Sequence, residues 1–509
     1  MADFSENNKR IAKNTLMLYF RMLILLIINL YTSRVVLQEL GVDDFGIYNV
    51  VGGIVIILSF LNSAMATGTQ RFMNIEMGRN DINALKKVFI TSIQIHTTIA
   101  IALFFIADTV GLWFLNTYMN IPEGKVSAAN WVFQFSIIAS LCTILSVPYN
   151  AAIISHEKMS AFAYISIVEA IMKLFVAFAI IWAPFNKLIF YSGLLFLTSL
   201  ITCSLYVLYG IKHFEECGKI SFSVDKKMMK QMLSFSGWTV FGNLGYILHT
   251  QGIAILINMF FTVAVNAAQG IANQVNNVVT QFSNNFLIAL NPQVVKSYAS
   301  GDLCQMHSLI IRGCKTAFCM MLFFVIPLIL EAPTILSIWL GIVPEYAVIF
   351  MRLILLISLI NSFSSLLAVS KGATGNIKNY QITLTLIGAL HIPLAWLAFE
   401  LGYGPEYSMY VYLGIVIVLQ AIRVTYVCKS VKLSIIRYFK DVIVRCIIVM
   451  CLSLIIPTIL HNILAPTFLS TLIIVLSSSV SVIIMTMYIA LTKKERMAVL
   501  KPIISKIKR

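Results

Sequence analysis

The stretch "NAAQGIANQVNNVVTQFSNNF", residues 266–286, has nine Asn or Gln residues among its 21 positions and no charged residue. On a helix, with about 100° per residue, most of these amides fall on one side and the apolar residues on the other. The stretch therefore predicts an amphipathic helix without charge. Its amide face comprises Asn266, Gln269, Asn273, Asn276, Asn277, Thr280 and Asn284, widened on one side by Gln274, Gln281 and Asn285.

The chain around this helix is strongly apolar. Its 509 residues are 59% hydrophobic and only 11% charged, and the mean hydropathy is +0.89. Soluble domains carry about 25% charged residues, so the composition indicates a polytopic membrane protein. The net charge of +16 resides in loops between apolar runs. It therefore indicates membrane orientation and not nucleic-acid binding.

Apolar runs long enough to cross a bilayer, about 20 residues each, occur about fourteen times. We therefore predict an all-α polytopic membrane protein of about fourteen transmembrane helices. The predicted spans are 14–36, 46–69, 86–115, 128–154, 161–183, 188–211, 236–260, 264–290, 313–340, 347–370, 380–400, 406–428, 440–460 and 467–491.

Every second loop is basic, as at 212–230, 429–440 and 493–509. The alternate loops contain no Lys or Arg except Lys125 and Lys187. By the positive-inside rule, the basic loops and both termini are cytoplasmic. This orientation requires an even number of spans, which twelve would satisfy as well as fourteen.

Two parts of the chain align with a shift of about 224 residues. "FGIYNVVGGIVIILSF" (45–60) aligns with "QGIANQVNNVVTQFSN" (269–284), and Trp113 falls near Trp339. Such repeats are typical of transporters that work by alternating access. We predict two pseudo-symmetric six-helix bundles, at 10–211 and 236–428, followed by an appended helix pair at 437–492.

The segment 212–235 between the bundles contains "SVDKKMMKQMLSF" (223–235), in which Met and Lys side chains fall on opposite sides of a helix. This pattern is typical of a helix lying on the cytoplasmic leaflet. The segment is either a linker that couples two moving bundles or a basic connection without further role.

An unpaired amide in hydrocarbon costs several kcal/mol, so the amide face must meet water, a polar ligand or polar helices. Interhelical hydrogen bonds usually take one or two residues per helix. A face about 30 Å long favours a water-filled cavity. Amides donate to and accept from sugar hydroxyls.

Charged residues within spans are functional candidates. Arg21 lies midway along the first span and contacts either an anion, such as phosphate, or an acidic side chain. Glu169 and Lys173 are four residues apart and form either a static ion pair or a coupling and gating pair. Arg34 and Arg352, near outer ends, either reach the interface or enter the cavity.

Catalytic and cofactor motifs are lacking. The chain has no GxxxxGK[ST] loop, no His and carboxylate cluster with metal spacing, and nine cysteines without a paired framework. We therefore expect neither an enzyme nor a bound cofactor or metal.

Two stretches carry a resemblance to a family. "LGVDDFGIYNVVGGIVIILSFLNSAMATGTQRFMNIEMG" (40–78) resembles polysaccharide exporters of the MATE-like MOP flippase superfamily, and "LLAVSKGATGNIKNYQ" (366–381) resembles the Wzx-type repeat-unit flippases. The fourteen spans are similar to those of the lipid II flippase MurJ.

The resemblance implies a flippase that moves undecaprenyl-diphosphate-linked oligosaccharide from the cytoplasmic to the periplasmic leaflet of the bacterial inner membrane. It implies that Arg21 meets the diphosphate and the amide face meets the sugar, and it makes a polysaccharide polymerase or glycosyltransferases candidate partners. The alternatives are a cation-coupled multidrug exporter and a membrane scaffold. Drug-exporting relatives usually carry an acid in span 1, 7 or 8, and these spans here have none.

The orientation can be tested with reporter fusions. Alkaline phosphatase fused after Tyr403, in an outer loop, is expected to be active, and the same enzyme fused after Glu216 is expected to be inactive. Green fluorescent protein at these positions should give the opposite pattern. Active phosphatase after Glu216 would reverse the assigned orientation.

Overall fold

The computed structural model describes residues 2–118, 123–218, 225–261, 263–340, 343–465, 467–492 and 495–497. Within the described helices, some side chains are not described, among them those of Arg34 and residues 51–62. The regular elements of the described residues are all helical.

Among the described residues, the first half of the chain contains seven α-helices. They are α1 (Ala2–Gly78), α2 (Ile82–Ile106), α3 (Leu112–Tyr118), α4 (Val126–Ser155), α5 (Met159–Ala179), α6 (Lys187–His213) and α7 (Lys226–Phe260).

The second half begins with the helix that carries the amide face. Its helices are α8 (Val263–Ala299), α9 (Leu303–Leu330), α10 (Ala332–Leu340), α11 (Ala347–Ser362), α12 (Ser365–Thr374), α13 (Lys378–Ala389), α14 (His391–Glu400), α15 (Tyr407–Ser430), α16 (Ile435–Tyr438), α17 (Arg445–Ile463) and α18 (Phe468–Met485).

Nine helices of the described residues are long and apolar enough to cross a membrane, and α11 with α12 forms a tenth, bent candidate. The protein is therefore a multi-pass membrane protein. Length and hydropathy thus identify up to ten spans among the described residues, fewer than the fourteen predicted. The four other predicted spans lie in α1, α7 and α8.

Three predicted boundaries differ from the structure. Span 9, predicted at 313–340, begins earlier in α9 and is interrupted at Glu331, after which α10 begins. The amphipathic stretch before span 7 is not a separate helix, because α7 runs without interruption from Lys226. No proline interrupts this sequence, so the helix continues from the basic stretch into the apolar one. Helix α8 extends nine residues beyond the predicted end of span 8, to Ala299.

The chain divides into two compact units, Met1–Val240 and Phe241–Arg509. The exact bundle limits and the pseudo-symmetry of the bundles stay predictions.

In the first unit, α4 is the central helix and packs against α1, α2 and α6. Phe133 and Ile137 of α4 are buried with Leu188 of α6 in one apolar core. The predicted joint between the first two spans, 14–36 and 46–69, is present, because Gly41 has a φ of 77° and interrupts the helical conformation of α1. Glycine adopts this left-handed region without the steric cost of a side chain.

In the second unit, close helix packing depends on glycines. A Cβ atom at Gly252 of α7 would lie 2.8 Å from Ile392, and one at Gly242 would lie 2.7 Å from the Gln381 amide oxygen. Helix α7 therefore approaches α13 and α14 closely through its small residues, as is common between membrane helices.

Helix α9 carries the appended pair α17 and α18. At one end of α9, the buried Glu331 accepts a hydrogen bond from Thr471 (2.8 Å) and lies 2.6 Å from the His461 imidazole nitrogen. One carboxylate thus joins three helices.

At the other end of α9, Arg312 Nε lies 2.7 Å from Glu495, and Lys315 Nζ donates to the Ala490 carbonyl at 2.8 Å. Burial acts to raise the pKa of the Glu495 carboxyl, but hydrogen bonds from Thr492 and the charges of Lys315 and Arg312 hold this pKa below its ordinary value. A depressed pKa adds stability above the unfolded-state pKa, and this stability is lost as the pH falls through the folded-state pKa.

We expect Glu331→Gln to loosen the appended pair. The amide keeps the shape but loses two charge-assisted interactions, at a cost of about 2 kcal/mol. The midpoint of thermal unfolding in detergent should fall by several degrees. Glu400→Gln, at an exposed acid, is the matched control and should leave the midpoint unchanged. Equal midpoints for both variants would contradict the proposed role of Glu331.

Candidate functional site

The amide face of α8 has an exposed part. Asn273, Asn277, Gln281 and Asn284 are all exposed, and their spacing places them on one side of the helix. We call these four residues the exposed amide line. It extends for about 16 Å along the helix axis.

The opposite side of α8 is a packing surface. Ala268 and Ala272 are fully buried, and Val279 is nearly so, where α8 packs against α9, α11 and α12. Since α8 is held through these small and apolar residues, the exposed amide line is not needed to join helices.

Three further amides of the same helix, Asn266, Gln269 and Asn276, are less exposed than the exposed amide line. Asn266 donates from Nδ2 to the Ala254 carbonyl of α7 at 3.0 Å, so it has the interhelical role that was the alternative for the amide face. Gln269 is only 8% exposed. The Asn276 Oδ1 atom is buried and has no hydrogen-bond partner among the described residues.

Gln269, Asn273 and Asn276 line a cavity of about 130 Å³ within the second unit. A single water needs about 10–15 Å³, so this space is large enough for several waters or a small ligand. Other lining residues, from α7, α11, α14 and α15, are Ile253, Ile354, Ile357, Ser358, Asn361, His391, Met409 and Tyr412.

The guanidinium of Arg423, which was not identified from the sequence, contacts Asn361 on the side away from the cavity. The Arg423 Nη1 atom of α15 donates to Asn361 Oδ1 at 3.1 Å and lies 3.4 Å from Ser364 Oγ. A charged residue inside the apolar run 406–428 was the available signal, because charges within spans mark functional positions.

The cavity has an aromatic wall, which the sequence also did not indicate. The rings of His391 and Tyr412 stack with centroids 4.9 Å apart. The His391 Nε2 atom lies 2.8 Å from the Ser408 carbonyl, which fixes the ring. The wall is therefore rigid, and Tyr412 offers both a ring face and a hydroxyl.

Arg352 does not line this cavity. Its Nε donates to the Ile329 carbonyl at 2.9 Å, near the end of α9. The contact satisfies a carbonyl that the helix end leaves without a partner. This contact is structural, and the predicted contact of Arg352 with the substrate stays a prediction. The side chain of Arg34 lies outside the described residues.

The first unit holds the charged candidates. Lys173 Nζ lies 2.6 Å from Glu169 Oε1, so the predicted ion pair is formed. Phe162, Ser166, Glu169 and Lys173 share one face of α5, with spacings of four, three and four residues.

Arg21 of α1 lies over this face. Its guanidinium carbon is 4.3 Å from the centre of the Phe162 ring, which is a cation–π contact. Arg21 forms no ion pair with a described residue, and its buried Nε has no hydrogen-bond partner among them. Glu169 acts on Arg21 only through the longer-range electrostatic interaction.

Tyr206 of α6 belongs to the same cluster and was not predicted. Its phenol interacts with Ser166 and Asn150, and electrostatically with Arg21 and Glu169. The first unit thus contains a guanidinium without a direct counter-ion, within a network of hydroxyl, amide and carboxylate groups. Such a guanidinium can bind an anion, and phosphate fits its fork geometry well.

No protein-family model matches the chain, and no curated protein matches it. Solved structures match its fold. A crystal structure of a MATE point mutant has a TM-score of 0.74 at 12% identity, covering 84% of this chain and 96% of that chain. An outward-facing multidrug resistance MATE family transporter of the MOP superfamily gives 0.73 at 11% identity, with the same coverage.

A third match is a MOP superfamily transporter from Pyrococcus furiosus, described as having a binding pocket of reverse polarity. Its TM-score is 0.70 at 12% identity, over 84% of this chain and 96% of that chain. The MATE-like part of the sequence resemblance is confirmed at the level of the fold. This chain has the fold of the MOP superfamily transporters.

Proposed function

We propose that this protein is a flippase, which moves an undecaprenyl-diphosphate-linked oligosaccharide from the cytoplasmic to the periplasmic leaflet of the bacterial inner membrane by alternating access. A polysaccharide polymerase and glycosyltransferases are the proposed partners, and membrane lipids surround the protein.

The exposed amide line of α8 carries this proposal. Four amides exposed to lipid would cost several kcal/mol each. A water-filled passage for a polar substrate removes this cost. Asn277, Gln281 and Asn284 are neutral donors and acceptors, which suits sugar hydroxyls better than a cationic drug.

Arg21 is the proposed contact for the diphosphate. Its Nε is without a partner among the described residues, and the Phe162 ring holds the guanidinium in place. A phosphate can take a pair of parallel hydrogen bonds from such a group.

The pair Glu169 and Lys173 is the proposed coupling element. Both side chains are about one-third exposed or more, at 33% and 41%, so water or an ion can reach them. An arriving phosphate near Arg21 would compete with Glu169 for positive charge, which provides a physical link between substrate binding and the ion pair.

A multidrug exporter is the second candidate, because solved multidrug MATE transporters share the fold. The absence of Asp and Glu from the apolar stretches of spans 1, 7 and 8 argues against a cationic substrate. Drug resistance conferred by the expressed protein would support this second candidate.

Arg21→Ala is expected to abolish surface polysaccharide in a host that lacks its own copy of the gene, because the diphosphate loses its charged contact. The measurement is an immunoblot of surface glycan beside a membrane-fraction blot of the protein. Arg79→Ala removes the same charge from a side chain directly after the end of α1 that is 58% exposed, and glycan should stay normal. Normal glycan in Arg21→Ala would overturn the diphosphate contact.

Replacing Asn273, Asn277 and Gln281 together by Leu should reduce glycan export by about tenfold or more, because the passage loses its polar wall. The control variant replaces Asn by Gln and Gln by Asn at the same three positions. It keeps the amides and should retain most export. Full export by the leucine variant would show that these amides do not face the substrate.

A further inference from the structure

We infer that the cavity between α8, α11, α14 and α15 binds one sugar ring of the glycan, and that it accepts neutral or acidic sugars and rejects cationic amino sugars. This inference rests on the proposed function and adds a defined subsite and its selectivity.

The lining chemistry is the first support. Polar groups come from Gln269, Asn273, Asn276, Ser358 and Asn361, and no carboxylate is among the residues lining the cavity. Amides and hydroxyls both donate and accept, as a ring bearing several hydroxyl groups requires. An ammonium group would find neutral acceptors but no counter-charge.

An unsatisfied atom inside the cavity wall points to a missing donor. Asn276 Oδ1 is buried and has no hydrogen-bond partner among the described residues. A buried polar atom without a partner costs about 1–3 kcal/mol. A ligand hydroxyl that donates to this oxygen recovers this cost, as a water can when no ligand is bound.

Arg423 sets the polarity of the opposite wall. Its hydrogen bond of 3.1 Å occupies the Asn361 Oδ1 atom, so the Nδ2 group of Asn361 is the one left to donate to a ligand. The guanidinium also makes the potential of the cavity positive, which attracts a carboxylate and repels an ammonium.

A broken helix borders the cavity. Helices α11 and α12 meet at an angle of 44°, directly after Asn361 and Ser362. The break is held by the buried Tyr438, whose hydroxyl donates to the Phe363 carbonyl. Interrupted membrane helices characteristically lie at transporter binding sites, because they free polar groups for a ligand.

The remaining wall suits the faces of a sugar ring. Ile253, Ile354, Ile357 and Met409 supply apolar contact, and Tyr412 is held by its stacking on His391. Sugar rings combine hydroxyl edges with apolar C–H faces. The cavity combines the same two kinds of surface.

The experiment measures binding without transport. The protein is purified in lipid nanodiscs, and its thermal unfolding is followed during titration with glucose, glucuronate or glucosamine at matched ionic strength. Glucose and glucuronate should raise the unfolding midpoint, and glucosamine should not. No shift with any of these sugars, or a shift with glucosamine alone, would overturn the inference.

Variants assign the effect to the cavity. Asn276→Leu should weaken glucose binding about tenfold, the loss expected for one buried hydrogen bond. Asn462→Leu is the matched control, at an exposed amide of α17 outside the cavity lining, and should bind glucose like the wild type. Equal binding by both variants would place the sugar elsewhere.

Asn276→Asp tests the selectivity with almost no change of shape. The new carboxylate should make glucosamine stabilise the protein and should weaken the effect of glucuronate. A different result would overturn the inference and assign a cation to the cavity. In that case sodium would raise the unfolding midpoint relative to N-methylglucamine, Asn276→Leu would lose this effect, and no sugar would change the midpoint.

The inference and the proposed function fail in different assays. If glucose binds as expected but deletion of the gene leaves surface polysaccharide normal, only the proposed function fails. If polysaccharide depends on the gene but no sugar shifts the unfolding midpoint, only the sugar subsite fails.

Discussion

A polar side chain in a bilayer must meet water or another polar group, because leaving an amide unpaired in hydrocarbon costs several kcal/mol. This constraint governs α8 and much of what surrounds it. Asn277 and Gln281 are exposed, whereas Ala268 and Ala272 on the other side are fully buried. The helix is therefore anchored by its small residues, and its amides are left for a polar environment.

The same constraint explains how the second unit tolerates a broken span. The break between α11 and α12 frees backbone and side-chain groups that a straight helix would pair. Tyr438 donates to the Phe363 carbonyl, and Arg423 donates to Asn361. With these partners in place the break is stable, and it borders the cavity that Asn276 lines.

The two units differ in their electrostatics. The first unit carries charges on facing helices, with Arg21 on α1 and the pair Glu169 and Lys173 on α5. The second unit contains a cavity without a carboxylate in its lining, and the guanidinium of Arg423 lies behind it. Under the proposed function, the charged cluster is the proposed contact for the diphosphate, and the cavity of the second unit is the proposed subsite for a sugar ring.

The order of residues along the chain was enough to predict the helical membrane class, the joint between the first two spans, the amphipathic character of α8 and the pairing of Glu169 with Lys173. Each of these depends on composition or on the periodicity of residues close together in the chain. The folded structure was needed to show that Asn266 joins α7, that Arg352 meets the end of α9, and that Asn361, His391 and Arg423 lie at one cavity. Those contacts join residues that are distant along the chain. Helical periodicity predicts which face of a helix is polar, but it does not predict which other helix packs against that face.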